Sequence, residues 1–460
     1  MLAGTDTEAL LEVPVAHEFG HMRKDVTDGM IAGNPSSASG VRISHSRPRA
    51  QGPGPKAAFT LAALLTACTD LPRLEVSGVD FVAPAGSQAP DLEVTPGGEL
   101  LLTYTEPTGA GHAVRVVARE HDAWTTRSTV VENDSLFVNW ADFPSVRATA
   151  GGRLIAHWLQ RVAPDRYAYH VFMRVSDDSG RTWGAPFRPH RDRSPTEHGF
   201  VAMTPWQDGL AAIWLDGRNT ARGGGHDGGT PSAERRAPST DTPAMALHFT
   251  TLSATGPAPD VAVDHRVCEC CQTALAATSS GLVAAYRDRT EGEIRDVVTA
   301  RFVDGVWSAA AKVHDDGWHY PGCPVNGPQL AARNDTVAVA WFTAANDRPR
   351  AAVAFSTDGG VTFGNRAVID DGRPAGRVDV LWLGTRVLVV WLEDVAEGGE
   401  VRARLVAPDG TVSPSVTVGA TTAARAAGFP RAAALGDSVY VAWTHAADTP
   451  RVHVTRLTLR

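Results

Sequence analysis

A short apolar strand ending in an aromatic residue recurs seven times along the chain. The copies are "ELLLTY" to Tyr104, "RLIAHW" to Trp158, "GLAAIW" to Trp214, "GLVAAY" to Tyr286, "TVAVAW" to Trp341, "RVLVVW" to Trp391 and "SVYVAW" to Trp443. Their final aromatics are spaced 54, 56, 72, 55, 50 and 52 residues apart. Each copy follows a turn containing Gly or Asp and leads, through a polar loop, into a second alternating strand such as "HVFMRVS", "AAVAFST" or "VRARLVA". Period-two alternation between turn signals marks strands, and repeats of this length mark radial blades of four-stranded sheet. The pattern predicts an all-β propeller of seven blades, with six blades as the alternative. The last repeat ends at "RVHVTRLTLR" with no outer strand left. The segment "RLEVSGVDFV", Arg73 to Val82, is expected to supply one and close the ring, which hides the edges an open array would expose. The one long spacing comes from a glycine-rich insertion, Gly217 to Pro243, which reads as a loop.

The N-terminal region has a different character. Arg42, Arg47, Arg49 and Lys56 precede a short apolar run, "AAFTLAALL", which ends in "LTAC" at Cys68. A basic stretch, a short apolar core and a small-residue site form a secretory signal, too short to span a bilayer. Leu-Thr-Ala-Cys resembles the lipobox of bacterial lipoproteins, which implies that Cys68 becomes the lipidated first residue of an exported protein. The expected organisation is therefore a leader over 1–67 and a single propeller over 68–460. "HEFGH", His17 to His21, matches a zinc-protease motif. It lies upstream of the signal, and Pro14 and Gly20 disfavour a helix there, so it carries no weight. Charged residues make up 20% and apolar residues 43% of the chain, ordinary for a soluble globular protein. A formal charge of −8 without a basic cluster excludes a nucleic-acid partner. The expected partners are a glycan or another small molecule, with membrane contact only through the lipid and a monomeric state.

Two turns sharpen the fold. "SDDSGRTW", Ser176 to Trp183, and "STDGGVTF", Ser356 to Phe363, share the pattern Ser-x-Asp-x-Gly-x-Thr-aromatic, and "APDGTVS", Ala407 to Ser413, looks like a degenerate copy. Asp is expected to cap each hairpin, Gly to take the turn dihedral and the aromatic to pack between blades. These turns resemble the Asp boxes of the sialidase-like β-propeller superfamily. The resemblance implies a glycan-binding or exo-glycosidase site at the propeller mouth, on the face opposite the boxes. It also implies an Arg-Ile-Pro motif and a tyrosine nucleophile. The nearest matches are "ADFPSVR", Ala141 to Arg147, with Asp142 and Phe143 where the motif would be, and "GFPRAAAL", Gly428 to Leu435. Tyr286 stands where the repeats place their packing aromatics, so it reads as inter-blade filling.

Blade-to-blade connections share that face with the loops between second and third strands, and loops on a rigid scaffold are where binding residues concentrate. Four acids fall there: Asp142, Glu197, Asp216 and Asp288. A pair of them is the requirement for glycoside cleavage; alternatively Asp216–Arg218 and Asp288–Arg289 brace their own loops. Trp140, Arg218, Arg287, Arg289 and Asn326 are candidate substrate contacts; Trp140 and Trp318 would stack on a sugar or close the pocket floor. In "RVCECCQTA", Cys268, Cys270 and Cys271 open one blade, and Cys323 opens the next. Three chemistries fit these cysteines: disulfides in an exported chain, a copper or zinc site completed by His198 and His319, or a redox-active dithiol. Glu269, between the cysteines, reads as facing solvent. Besides the glycan-acting reading, the sequence leaves open a copper- or zinc-dependent redox or metal-handling protein and a non-catalytic scaffold.

Overall fold

A computed structural model describes residues 72–164, 167–220 and 244–460. The leader with Cys68 and most of the glycine-rich insertion, residues 221–243, lie outside them. Seven antiparallel sheets follow one another along the chain, with short helical turns at Ala345–Asp347 and Arg425–Ala427. The first strands of the seven sheets are Gln88–Val94, Ser145–Ala148, His198–Trp206, Ala274–Thr278, Gln329–Arg333, Pro374–Leu383 and Arg431–Leu435. Each packs against the next, and the last packs against the first, so they line the axis of a seven-bladed propeller.

The seven strands recognised in the sequence are the second strands of the blades, and their aromatics fill the core. Tyr104, Trp158, Trp214, Tyr286, Trp341, Trp391 and Trp443 are all at most 3% exposed. A buried indole N–H needs an acceptor. Trp158, Trp214 and Trp391 each donate to the side chain two residues further on, Gln160, Asp216 and Glu393, at 3.4, 2.9 and 2.7 Å. The Trp-x-acceptor spacing is thus a structural device, which already bears on Asp216.

The ring closes as the sequence indicates. Leu74–Val82 pairs antiparallel with Arg451–Leu459 and forms the outer edge of the seventh blade, in the order Leu74–Val82, Arg451–Leu459, Ser438–His445, Arg431–Leu435. Blade two has three strands, and a bridge between Met173 and Phe187 stands in for the fourth.

The Ser-x-Asp-x-Gly-x-Thr turns follow the third strands, on the face opposite the blade-to-blade connections. Asp178 accepts the backbone N–H groups of Arg181 and Thr182 at 3.0 and 2.8 Å and the Thr182 hydroxyl at 2.6 Å. Ser176 Oγ accepts the Gly180 N–H at 2.8 Å, and Gly180 has φ +81°. Asp358 and Gly360 repeat this arrangement. At the degenerate copy a single such bond survives, from Thr411 N to Asp409.

Candidate functional site

Segments from five blades meet over the axis. Gln272, before the first strand of blade four, donates to the Ala141 carbonyl at 2.7 Å and accepts the Gly327 N–H at 2.9 Å. Trp140 stacks on Phe429, which precedes blade seven, with centroids 6.0 Å apart, and Phe143 lies 6.1 Å from the same ring. The Arg377 guanidinium sits 5.0 Å above Trp140. Residues 140–143 therefore bridge the mouth, and Trp140 is part of that bridge. Beneath it an axial cavity of about 270 Å³ is lined by Asp142, Glu93, Arg147, Phe200 and Arg431 among others.

The two arginines of this cavity are the ones in the proline-containing segments noted above, and both are committed. Arg147 and Arg431 converge on Asp91, with contacts of 3.3 and 3.1 Å to Oδ1, and Arg431 also reaches Asp379 at 3.1 Å. Burial alone would raise Asp91, but the two guanidinium charges outweigh it and hold the carboxyl below its usual range. Glu93 is different: burial prevails over Arg147, 3.8 Å away, and pushes it up to about 7.

Beside the cavity the structure brings together Asp142 and Glu197, two of the four candidate acids, and adds a tyrosine. Asp142 is 4% exposed. Its Oδ1 accepts the Phe200 N–H at 2.8 Å, and its Oδ2 has no partner. Burial, less the Phe200 hydrogen bond and reinforced by the Glu197 charge, pushes it up to about 8. Glu197 is pushed up to about 7, again chiefly by burial, against a hydrogen bond from Tyr169 and the influence of His198. The Tyr169 hydroxyl donates to Glu197 Oε2 across 3.4 Å. Its ring is 2% exposed, stacked on Phe137 at 4.0 Å and edge-on to Tyr167 at 5.6 Å. Gly199 makes the cluster possible. A Cβ there would lie 2.0 Å from Asp142 Oδ2 and 2.8 Å from the Tyr169 ring, so any other residue would force them apart. Sequence reasoning missed Tyr169; the only signal was the aromatic pair in "RYAYHV" at the start of a third strand, on the loop-rich face.

The other candidates lie elsewhere. Asp216 is fully buried and held by Trp214 and by Arg218 Nε at 2.7 Å, while Arg218 also bonds Asp260 at 2.6 Å. This is the bracing arrangement. Asp288 accepts the Arg289 backbone N–H at 2.7 Å, and burial raises it. The Arg289 guanidinium turns away from Asp288, to Glu293 at 2.8 Å and to Glu269. Glu269 also accepts from Arg295 at 3.0 Å, so it anchors the cysteine loop instead of facing solvent. Arg287 is 1% exposed and spends its donors on the carbonyls of Asn326, Phe342 and Arg295 beneath the Trp318 ring. Burial lowers it to about 9. Asn326 accepts the Arg377 N–H at 2.8 Å and so fixes the entry to blade six. Tyr286 is buried in the core and its hydroxyl donates to Asp264 at 2.8 Å.

All four cysteines of the mouth are paired. Cys268 is bonded to Cys271 and Cys270 to Cys323, with Cα separations of 5.8 and 6.0 Å, inside the range for disulfides. The second bond links blades four and five. Pairing removes the thiolates that a copper or zinc site would use. Nor do the proposed histidines join the cysteines. His319 is exposed and its backbone bridges to Ile294, whereas His198 is fully buried with His170, His190 and Asp192 between blades two and three. Burial holds His170 and His190 down at about 4 and 3.

No protein-family model matches the sequence, and no curated protein matches it. Solved structures do resemble it. An α-L-arabinofuranosidase mutant from Fusarium graminearum, in complex with an iminosugar inhibitor, matches with TM-score 0.46 and 14% identity over 83% of this chain and 98% of its own. A Hadza microbial sialidase matches with TM-score 0.42 and 12% identity over 75% and 74%. A polysaccharide lyase of the ulvan-lyase family matches with TM-score 0.44 and 12% identity over 69% and 78%.

Proposed function

We propose that the protein is a glycan-acting propeller, an exo-type glycosidase that uses Asp142, Glu197 and Tyr169. The observation that carries this reading is the cluster itself. Two carboxyls whose affinity for protons is raised into the neutral range lie together, and one of them accepts a hydrogen bond from a buried phenol. Paired carboxyls with shifted protonation are the machinery of glycoside cleavage, and a tyrosine nucleophile with an adjacent base is a known variant of it. In this mechanism Glu197, ionised, takes the Tyr169 proton as the phenol oxygen bonds the anomeric carbon. Asp142, protonated, gives its proton to the departing glycosidic oxygen. Water then enters with Asp142 as base, the sugar–tyrosine bond breaks and the phenol regains its proton from Glu197.

The cavity size favours a single sugar unit over a chain. Arg147 and Arg431 are already matched by Asp91 and Asp379, and Arg377 by the carbonyls of Ala423, Ala424 and Gly428. A substrate carboxylate would meet no uncommitted guanidinium among these three. The preferred substrate is therefore a neutral glycoside instead of a sialoside. Export with lipidation at Cys68 belongs to the same proposal and is supported by the leader sequence. The test is turnover of a panel of neutral and acidic aryl glycosides by the wild type and by Asp142→Asn, Glu197→Gln and Tyr169→Phe. Losses of roughly 10²–10⁴-fold are expected in the variants. No turnover on any glycoside, or turnover that ignores all three substitutions, overturns the reading.

A further inference from the structure

Behind Tyr169 and Glu197, on the opposite side of the strands that carry them, lies a buried histidine–aspartate cluster that the proposed reaction does not use. Tyr169 is followed by His170, and Glu197 by His198. His198 is fully buried. Its Nδ1 lies 3.3 Å from the Thr196 carbonyl, so Nδ1 carries a proton and donates it. Nε2 lies 3.1 Å from Asp192 Oδ2 and 3.5 Å from Asp216 Oδ1, without the alignment of a full hydrogen bond. A ring nitrogen set between two carboxylate oxygens calls for positive charge there, supplied by a second ring proton or by a metal ion. His190 repeats the theme. It is 1% exposed, its Nδ1 is 3.1 Å from the Asp192 carbonyl, and its Nε2 has no partner. The His190 ring stacks on His198 at 4.3 Å.

We propose that His198, Asp192 and Asp216, with His170 as the fourth group, bind one divalent transition-metal ion, zinc by preference. Ring nitrogens of His170 and His198 and a carboxylate oxygen of Asp192 lie within 4.8 Å of one another. Tetrahedral zinc with bonds of about 2.0–2.1 Å sets its ligand atoms roughly 3.3–3.4 Å apart, and the 3.1 and 3.5 Å separations around His198 Nε2 bracket that spacing. A mixed set of imidazole and carboxylate, without thiolate, fits zinc better than copper(I) or calcium. The outer groups are those of a held site. Trp214 and Arg218 orient Asp216, the Ser194 hydroxyl bonds Asp192, and the Thr196 carbonyl fixes the His198 tautomer. His170 bonds the Ser194 carbonyl at 2.8 Å and Arg188 at 2.9 Å, and must release one of them to bind. Because its ligands come from blades two and three and from the connection between them, the ion staples the two blades directly behind the proposed reacting groups.

The experiment uses the whole protein, purified without chelator or reductant, with its zinc content measured and then stripped with EDTA and titrated calorimetrically. One zinc per chain, a single saturable site and a rise in Tm on loading are expected. His198→Gln and Asp192→Asn should each abolish the site, while Cys270→Ser with Cys323→Ser keeps it. If the ligand variants fail to fold, cobalt(II) loaded into the wild type decides: a d–d spectrum lacking thiolate charge-transfer bands supports the site. No saturable binding, binding indifferent to both ligand variants, thiolate bands, or an NMR spectrum with both His198 ring nitrogens protonated in zinc-supplemented protein overturns it. The last result would mean that a proton occupies the place assigned to the ion. Each readout is independent of glycoside turnover.

Discussion

Asp142→Asn separates a reacting group from a structural one. In an unfolded chain this carboxyl titrates near 3.8, whereas burial in the fold moves it to about 8. A raised acid binds its proton more tightly when folded than when unfolded. Below about pH 4 both states are protonated and the shift costs nothing. Between about 4 and 8 the unfolded chain gains stability by ionising while the folded one does not, so folding stability falls as pH rises, and above about 8 the full penalty applies. At 1.36 kcal/mol for each pH unit of the interval, the penalty is on the order of 5 kcal/mol. Asparagine keeps the shape and the oxygen that accepts the Phe200 N–H but cannot ionise. Urea unfolding of wild type and variant at pH 4 and at pH 8.5 measures the effect. The two should be nearly equally stable at pH 4, and the variant should be the more stable at pH 8.5 by several kcal/mol while lacking glycosidase activity. A site that sacrifices stability to hold a neutral acid behaves in this way. A stability difference that does not change with pH would refute the reasoning, as would a variant less stable at both values.

Other outcomes follow from the same geometry. The pH profile of kcat/KM should be bell-shaped: activity rises through about 7 as Glu197 ionises and falls above about 8 as Asp142 loses its proton, and Tyr169→Phe should abolish turnover at every pH. Gly199→Ala should cost at least roughly tenfold in kcat/KM by displacing Asp142 from Tyr169, measured with the substrate that the panel selects. Joint Cys270→Ser and Cys323→Ser replacement opens a loop with a sequence separation of 53 and should destabilise the fold by about 2–4 kcal/mol, read from thermal or urea unfolding without reductant.

The architecture was legible because each blade repeats one local device, an apolar strand whose final aromatic is buried, with turn residues at fixed offsets. Even the closing strand could be placed, since a sheet edge at the C-terminus demanded a partner. The site was less legible because it is assembled between blades. Asp142 and Glu197 stood out as acids on the loop-rich face, but nothing local ties Glu197 to Tyr169, 28 residues earlier, or shows that Gly199 makes room for both. His170, His190 and His198 follow no ligand spacing and meet only when blades two and three pack. Charges misled where their partners were distant in sequence. Glu269 looked free until Arg289 and Arg295 arrived from the neighbouring loop, and Arg287 looked like a substrate contact although backbone carbonyls consume its donors. The cysteines fitted three chemistries, disulfides first among them, since spacing alone does not state which sulfur faces which.

The strand that closes the ring also imposes an order of events on folding. Leu74–Val82 and its partner, Arg451–Leu459, share the one ladder among the described strands whose members lie far apart in sequence. Until that pair forms, Leu74–Val82 is a strand without its ladder and the blades are an arc with two raw ends. The other blades can form from local pairings, but the ring-wide gain in cooperativity must wait for this long-range one. Loss of Arg451–Leu459 would therefore cost a closed molecule, not merely one strand.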